Sequence, residues 1–156
     1  MSVNAWRIVK RNYSKTAFSG EGARVYGGRW NSPGLPVVYT AGTQSLAALE
    51  MLVHLDADAL LNHYVVAAVE IDASLITVSD VALFPRNWRD DPPPAKARAI
   101  GDNWLREGRS AVLELRSAII PSEPIFLLNP RHEDFARLRI GKFESFRFDP
   151  RLGKRK

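Results

Sequence analysis

The run YVVAAVEI at residues 64–71 constrains the fold more than any other stretch of the chain. Its β-branched, aromatic and small apolar side chains are nearly continuous, the pattern of a strand covered on both faces. Such a strand predicts a central place in a sheet, with packed layers above and below. Other strand-like pieces occur at residues 5–9, 24–26 and 36–40, separated by the turn signals Gly27-Gly28 and Ser32-Pro33-Gly34. Later ones fall at residues 111–115, 125–128 and 138–149, where Phe146 and Phe148 alternate with Arg147 and imply one packed face and one wet face.

Two helices are expected between these strands. Over residues 43–55, Leu46, Leu49 and Val53 recur at helical spacing, and Thr43 or Ser45 can cap the start. Over residues 95–106 a proline cluster precedes the first turn, Ile100, Trp104 and Leu105 form the packed side, and Gly108 ends the helix. Asn129-Pro130 breaks the C-terminal run before a short turn of helix near residues 133–138. Strands therefore flank helices without a regular βαβ rhythm. The expected class is α+β, a single domain over residues 1–156 with a mixed or antiparallel sheet core and flanking helices.

Composition then limits the chemistry. A chain of 156 residues can bury roughly two thirds of its unfolded surface, so neither a metal nor a disulfide framework is needed to hold it. It has no cysteine, which excludes thiol nucleophiles, thiolate zinc sites and disulfides and fits a reducing compartment. The first ten residues lack the apolar core of a secretory signal, and no apolar run reaches the ~18 residues of a membrane span. A soluble, cytoplasmic protein is expected. The formal charge of +5 and a pI of about 9.8 favour anionic company: nucleic acid, a phosphorylated small molecule or an acidic partner. The basic tail from Arg151 to Lys156 suits nucleic acid or a solvated end, and no recognition motif accompanies it.

Few residues stand out as chemical. Glu50, in SLAALEMLVHL, falls about 40° around the helix from Leu46, on the margin of the apolar stripe. A carboxylate there is partly desolvated, either for chemistry or for pairing with His54 or an arginine. The segment GARVYGGRWNSPG sets Arg24 and Arg29 beside permissive backbone, and an arginine fork suits phosphate, although Gly-Gly is equally a hairpin turn. Tyr39 ends a short strand before the Glu50 helix, as a core residue or part of a site with Arg29 and Glu50. Ser117 and Asn129 close later strands, where polar side chains face clefts or cap turns. His54, His63 and His132 show no metal-binding spacing, and no metal is expected.

Taken in order, WRI, GGRWNSPG, VVYTAGT, LAALEMLVHL, IGDNWL, RSAIIPSE, LLNPRHEDF and FDPRL resemble the RES-domain toxins of bacterial Xre–RES toxin–antitoxin systems over nearly the whole chain. Arg116 departs from the family pattern, which usually has Pro before the serine. The resemblance implies an ADP-ribosyltransferase-like fold. It also implies an enzyme that cleaves NAD+ at the nicotinamide–ribose bond, a glycohydrolase or phosphorylase using water or phosphate. Depletion of cellular NAD+ would arrest growth unless a cognate Xre-family helix-turn-helix antitoxin blocks the site. DNA would be reached only through that antitoxin, and toxin homodimers within the complex are compatible with the reading.

Carried over residue by residue, the family arginine falls on Arg29, the tyrosine on Tyr39, the glutamate on Glu50 and the serine on Ser117, while Arg7 and Asn129 match further polar positions. Arg29 is then assigned to phosphate, Tyr39 to nicotinamide or ribose, and Ser117 and Asn129 to positioning. Glu50 would stabilise the oxocarbenium-like ribose as the bond lengthens. Two alternatives use the same chain differently: protein mono-ADP-ribosylation, and a non-enzymatic basic module that binds nucleic acid.

Overall fold

The YVVAAVEI run extends as β3 (Tyr64–Asp72) and pairs antiparallel along its whole length with β1 (Ser2–Lys10), from Ser2 opposite Asp72 to Lys10 opposite Tyr64. This is a computed structural model, and it describes residues 1–154. The first half of β3 is buried residue after residue, whereas Glu70 and Asp72 are exposed and alternate with buried Ile71.

The remaining strands are β2 (Val38–Ala41), β4 (Ile76–Val78), β5 (Val112–Arg116), β6 (Pro124–Leu128), β7 (Arg139–Ile140) and β8 (Glu144–Phe146). They form one sheet in the order β4-β5-β6-β2-β1-β3-β7, with β8 also on β3. Among the described residues only β4 and β5 run parallel, so the sheet is mixed, one of the two forms expected. β3 is paired on both sides but lies towards one end of the sheet, not at its centre. The strand expected over residues 138–149 is divided into β7 and β8. Between them Gly141 N donates to Ala68 O at 2.8 Å, and a Cβ on Gly141 would stand 3.0 Å from that carbonyl.

Period-two alternation divides the core between the two faces. Leu113, Leu115, Ile125 and Leu127 point to one face with Trp30, Leu46 and Trp104, while Val112, Phe126 and Leu128 point to the other with Val69 and Ile71. Three helices complete the layers: α1 (Glu21–Tyr26), α2 (Gln44–Leu52) and α3 (Ala95–Glu107).

Residues 24–26 are therefore helical, not extended as expected. Gly20 and Gly27, at φ 76° and 72°, bound the short helix, and Arg24 pairs with Glu21 one turn back. Three residues of strand-like composition were too few to outweigh these stops. In α2, Thr43 caps by accepting from Leu46 N at 3.0 Å. The stripe is rotated from the expected one: Leu46 and Ala47 are buried and Met51 and Leu52 pack on the core, but Val53 is 60% exposed. Glu50 thus falls between the buried Leu46 and Ala47 on the helical wheel. In α3, Ala97, Gly101, Trp104 and Leu105 are buried, and Gly108 ends the helix at φ 59°.

Candidate active site

β1 and β2 pair at one position, Trp6 opposite Ala41. Beyond it a side chain takes over the connection: Arg7 on β1 donates from Nη1 to Tyr39 O at 2.9 Å and from Nε to Ala17 O at 2.5 Å. No carboxylate lies within ion-pair distance of it among the described residues. Burial lowers its pKa to about 10, which leaves it cationic near neutrality. A cleft of about 830 Å3 opens here, lined by Arg7, Arg29, Tyr39 and Glu50 together with Met51 and His54.

Arg29 projects from the turn that follows α1. Its Nη1 donates to Trp88 O at 2.9 Å and to Asp90 O at 2.7 Å, fixing one corner of the guanidinium against the loop 84–94. The turn is built around Tyr39, whose hydroxyl accepts from Trp30 N at 3.0 Å and donates to Asn31 Oδ1 at 2.7 Å. Burial pushes the Tyr39 phenol well above its ordinary value of 10.0, with the Trp30 N–H opposing and Asp102 adding to the rise. Gly28 matters for contact: a Cβ there would stand 2.6 Å from the Tyr39 hydroxyl oxygen. The Gly-Gly pair thus serves close packing of the turn on Tyr39.

Glu50 and Ser117 meet across the chain. Ser117 is fully buried; its Oγ donates to Glu50 Oε1 at 2.7 Å and accepts from Ile119 N at 3.1 Å and Ile120 N at 3.0 Å. One donor and two acceptor positions exhaust the hydroxyl, so it orients the carboxylate and is not poised as a nucleophile. Arg116 leaves this arrangement intact: its own Nη1 donates to Ser122 O at 3.3 Å, and Ser117 N donates to Glu123 O at 3.0 Å. The structure therefore brings Arg7, Arg29, Tyr39, Glu50 and Ser117 together.

It does not bring Asn129. That side chain accepts from Arg131 N at 3.0 Å and borders a separate hollow with Leu105 and His132, so it shapes a turn at a distance from the cleft. Conversely, two site residues escaped the sequence reading. Asn31, fully buried, ties Tyr39 to Ala23 O and Ser32 O; Asp102 on α3 accepts from Ser32 N at 2.8 Å. Asn31 stands in GGRWNSPG between Trp30 and Ser32, where turn residues are commonly polar, so its type alone did not single it out. Asp102 gave no signal, because its partner is distant in sequence. Among the described residues no group of three or more His, Cys, Asp or Glu could hold a metal ion. No helix among them is long and apolar enough to cross a membrane.

The mixed sheet that carries this cleft is that of a toxin domain. Residues 4–149 match the RES domain, and the chain belongs to that family. It is 42% identical over 148 residues to a protein named Toxin Res from Yersinia enterocolitica, covering 94% of this chain and 97% of that one. It is 35% identical over 158 residues to a Prs ADP-ribosylating toxin from a Sphingobium strain, covering 97% of this chain and 98% of the other. Its fold matches a chain in the crystal structure of the M. tuberculosis MbcT–MbcA toxin–antitoxin complex with a TM-score of 0.75 and 18% identity, over 98% of this chain and 87% of that one.

Proposed function

We propose that the cleft binds NAD+ and cleaves it between nicotinamide and ribose, with water or phosphate as acceptor, and that loss of NAD+ in the cytoplasm arrests growth. The observation that carries this reading is the Glu50 carboxylate, held by the buried Ser117 hydroxyl at 2.7 Å and facing a cleft that also holds Arg7 and Arg29. The volume lies in the range of roughly 300–1,000 Å3 typical of ligand sites. Nicotinamide leaves as a neutral ring from a cationic ground state, so no strong general acid is needed. Positive charge grows on the ribose instead, and a fixed carboxylate stabilises that charge more in the transition state than in the ground state. Arg29, with one corner fixed on the loop, offers its remaining N–H groups to the pyrophosphate. The Tyr39 ring borders the cleft while its hydroxyl holds the turn.

Incubation of purified, antitoxin-free protein with NAD+ is expected to release nicotinamide, with or without phosphate. Glu50→Gln should lower kcat by ~10²–10³. A folded wild-type protein without turnover under either condition would discard the reading. The name of the Sphingobium relative favours a second one, transfer of ADP-ribose to a protein side chain; labelled NAD+ leaves label on protein only in that case. The MbcT–MbcA complex supports an antitoxin partner for this chain, which we infer to be of the Xre family and to occlude the cleft near Arg29.

A further inference from the structure

Arginines that pair with a carboxylate lie outside the cleft lining: Arg24, Arg109, Arg137, Arg139 and Arg151. Those that line it, Arg7, Arg29 and Arg98, donate among the described residues only to main-chain carbonyls. A carbonyl fixes a guanidinium without neutralising it, so the charge stays available to a ligand. Arg98 stands half-buried near the start of α3 and gives Nη1 to Pro93 O at 2.7 Å. Arg29 grips Trp88 O and Asp90 O of the same loop. One stretch of chain, residues 88–93, therefore anchors both groups, and the Nε and Nη2 of each have no partner among the described residues.

We propose that Arg98 is a second phosphate-binding residue of the cleft, sharing the pyrophosphate of a dinucleotide with Arg29. This rests on the NAD+ reading above. Asp91 lines the same wall, and its negative charge would repel a pyrophosphate held by one arginine alone. Two guanidinium groups offset that repulsion and supply a planar fork to each phosphate.

Titration calorimetry with ADP-ribose, which keeps the pyrophosphate and lacks nicotinamide, tests the assignment alongside NAD+ kinetics. Arg98→Gln is expected to weaken ADP-ribose about tenfold and raise KM for NAD+ by a similar factor, with kcat within about twofold. Inhibition by free nicotinamide should not change, and Arg98→Lys should recover part of the loss. Unchanged ADP-ribose affinity in folded Arg98→Gln overturns the proposal. So does an equal weakening of nicotinamide and ADP-ribose, which would assign Arg98 to holding the loop alone. If Arg98→Gln does not fold, Arg98→Lys is read instead: loss of the fork weakens ADP-ribose severalfold, and unchanged affinity overturns the assignment. Wild-type protein that binds neither ADP-ribose nor NAD+ overturns the NAD+ reading together with this one; wild-type binding with unaffected variants overturns this one alone.

Discussion

Ser117 acts on Glu50 across 67 positions of sequence, and its removal separates orientation from charge. Ser117→Ala takes away the carboxylate's donor and leaves the Ile119 and Ile120 N–H groups without their acceptor. A fall in kcat of about tenfold with little change in KM is expected, together with a loss of about 1–3 kcal/mol of stability. Steady-state NAD+ kinetics and thermal melts measure the two effects. Glu50 could be found from its arc on the helix because that depends on neighbours within one turn. Its partner could not, since no local pattern states which buried serine will face which carboxylate. Tyr39 shows the same limit: its short strand was readable, but the use of its hydroxyl to build the Arg29 turn is a tertiary fact. Asn129 was matched by pattern and stands elsewhere in the fold, capping a turn.

Among the elements, α3 shares with β2 the placing of the turn that carries Arg29. A Cβ on Gly101 would stand 1.8 Å from Trp30 O, an approach only glycine permits, and Asp102 next to it holds Ser32 N. Gly101→Ala should force helix and turn apart, costing about 1–3 kcal/mol of stability and raising KM for NAD+ as Arg29 shifts. A variant with wild-type melting temperature and kinetics would refute this coupling. α2 was readable within a few residues from its Thr43 cap, although its stripe is rotated, and α3 from the prolines before it, its apolar spacing and the Gly108 stop. Residues 24–26 were misread because β-branched and aromatic composition outweighed the flanking glycines in a segment too short for periodicity. Between β7 and β8 the chain approaches β3 closely at Gly141, and that lone glycine within the expected strand was the one local signal of a break.

For the molecule as a whole, the class followed from one apolar run and from the irregular alternation of strands and helices, and the mixed sheet agrees with it. The strand order did not follow, because β2 joins β6 across most of the chain. Net positive charge pointed to an anion, and the three arginines that line the cleft are held by main-chain carbonyls, whereas Arg24, Arg109, Arg137, Arg139 and Arg151, outside it, pair with carboxylates. If an antitoxin closes that cleft, NAD+ turnover of the purified complex should fall at least tenfold below that of the free chain. Equal rates would require inhibition elsewhere.

The sheet ends abruptly: β4 has three residues on one side, and β7 and β8 have two and three on the other. Another chain seeking to prolong the ladder would find only a few free main-chain groups, too few to hold it. Fibre growth by strand addition is thus disfavoured at either edge.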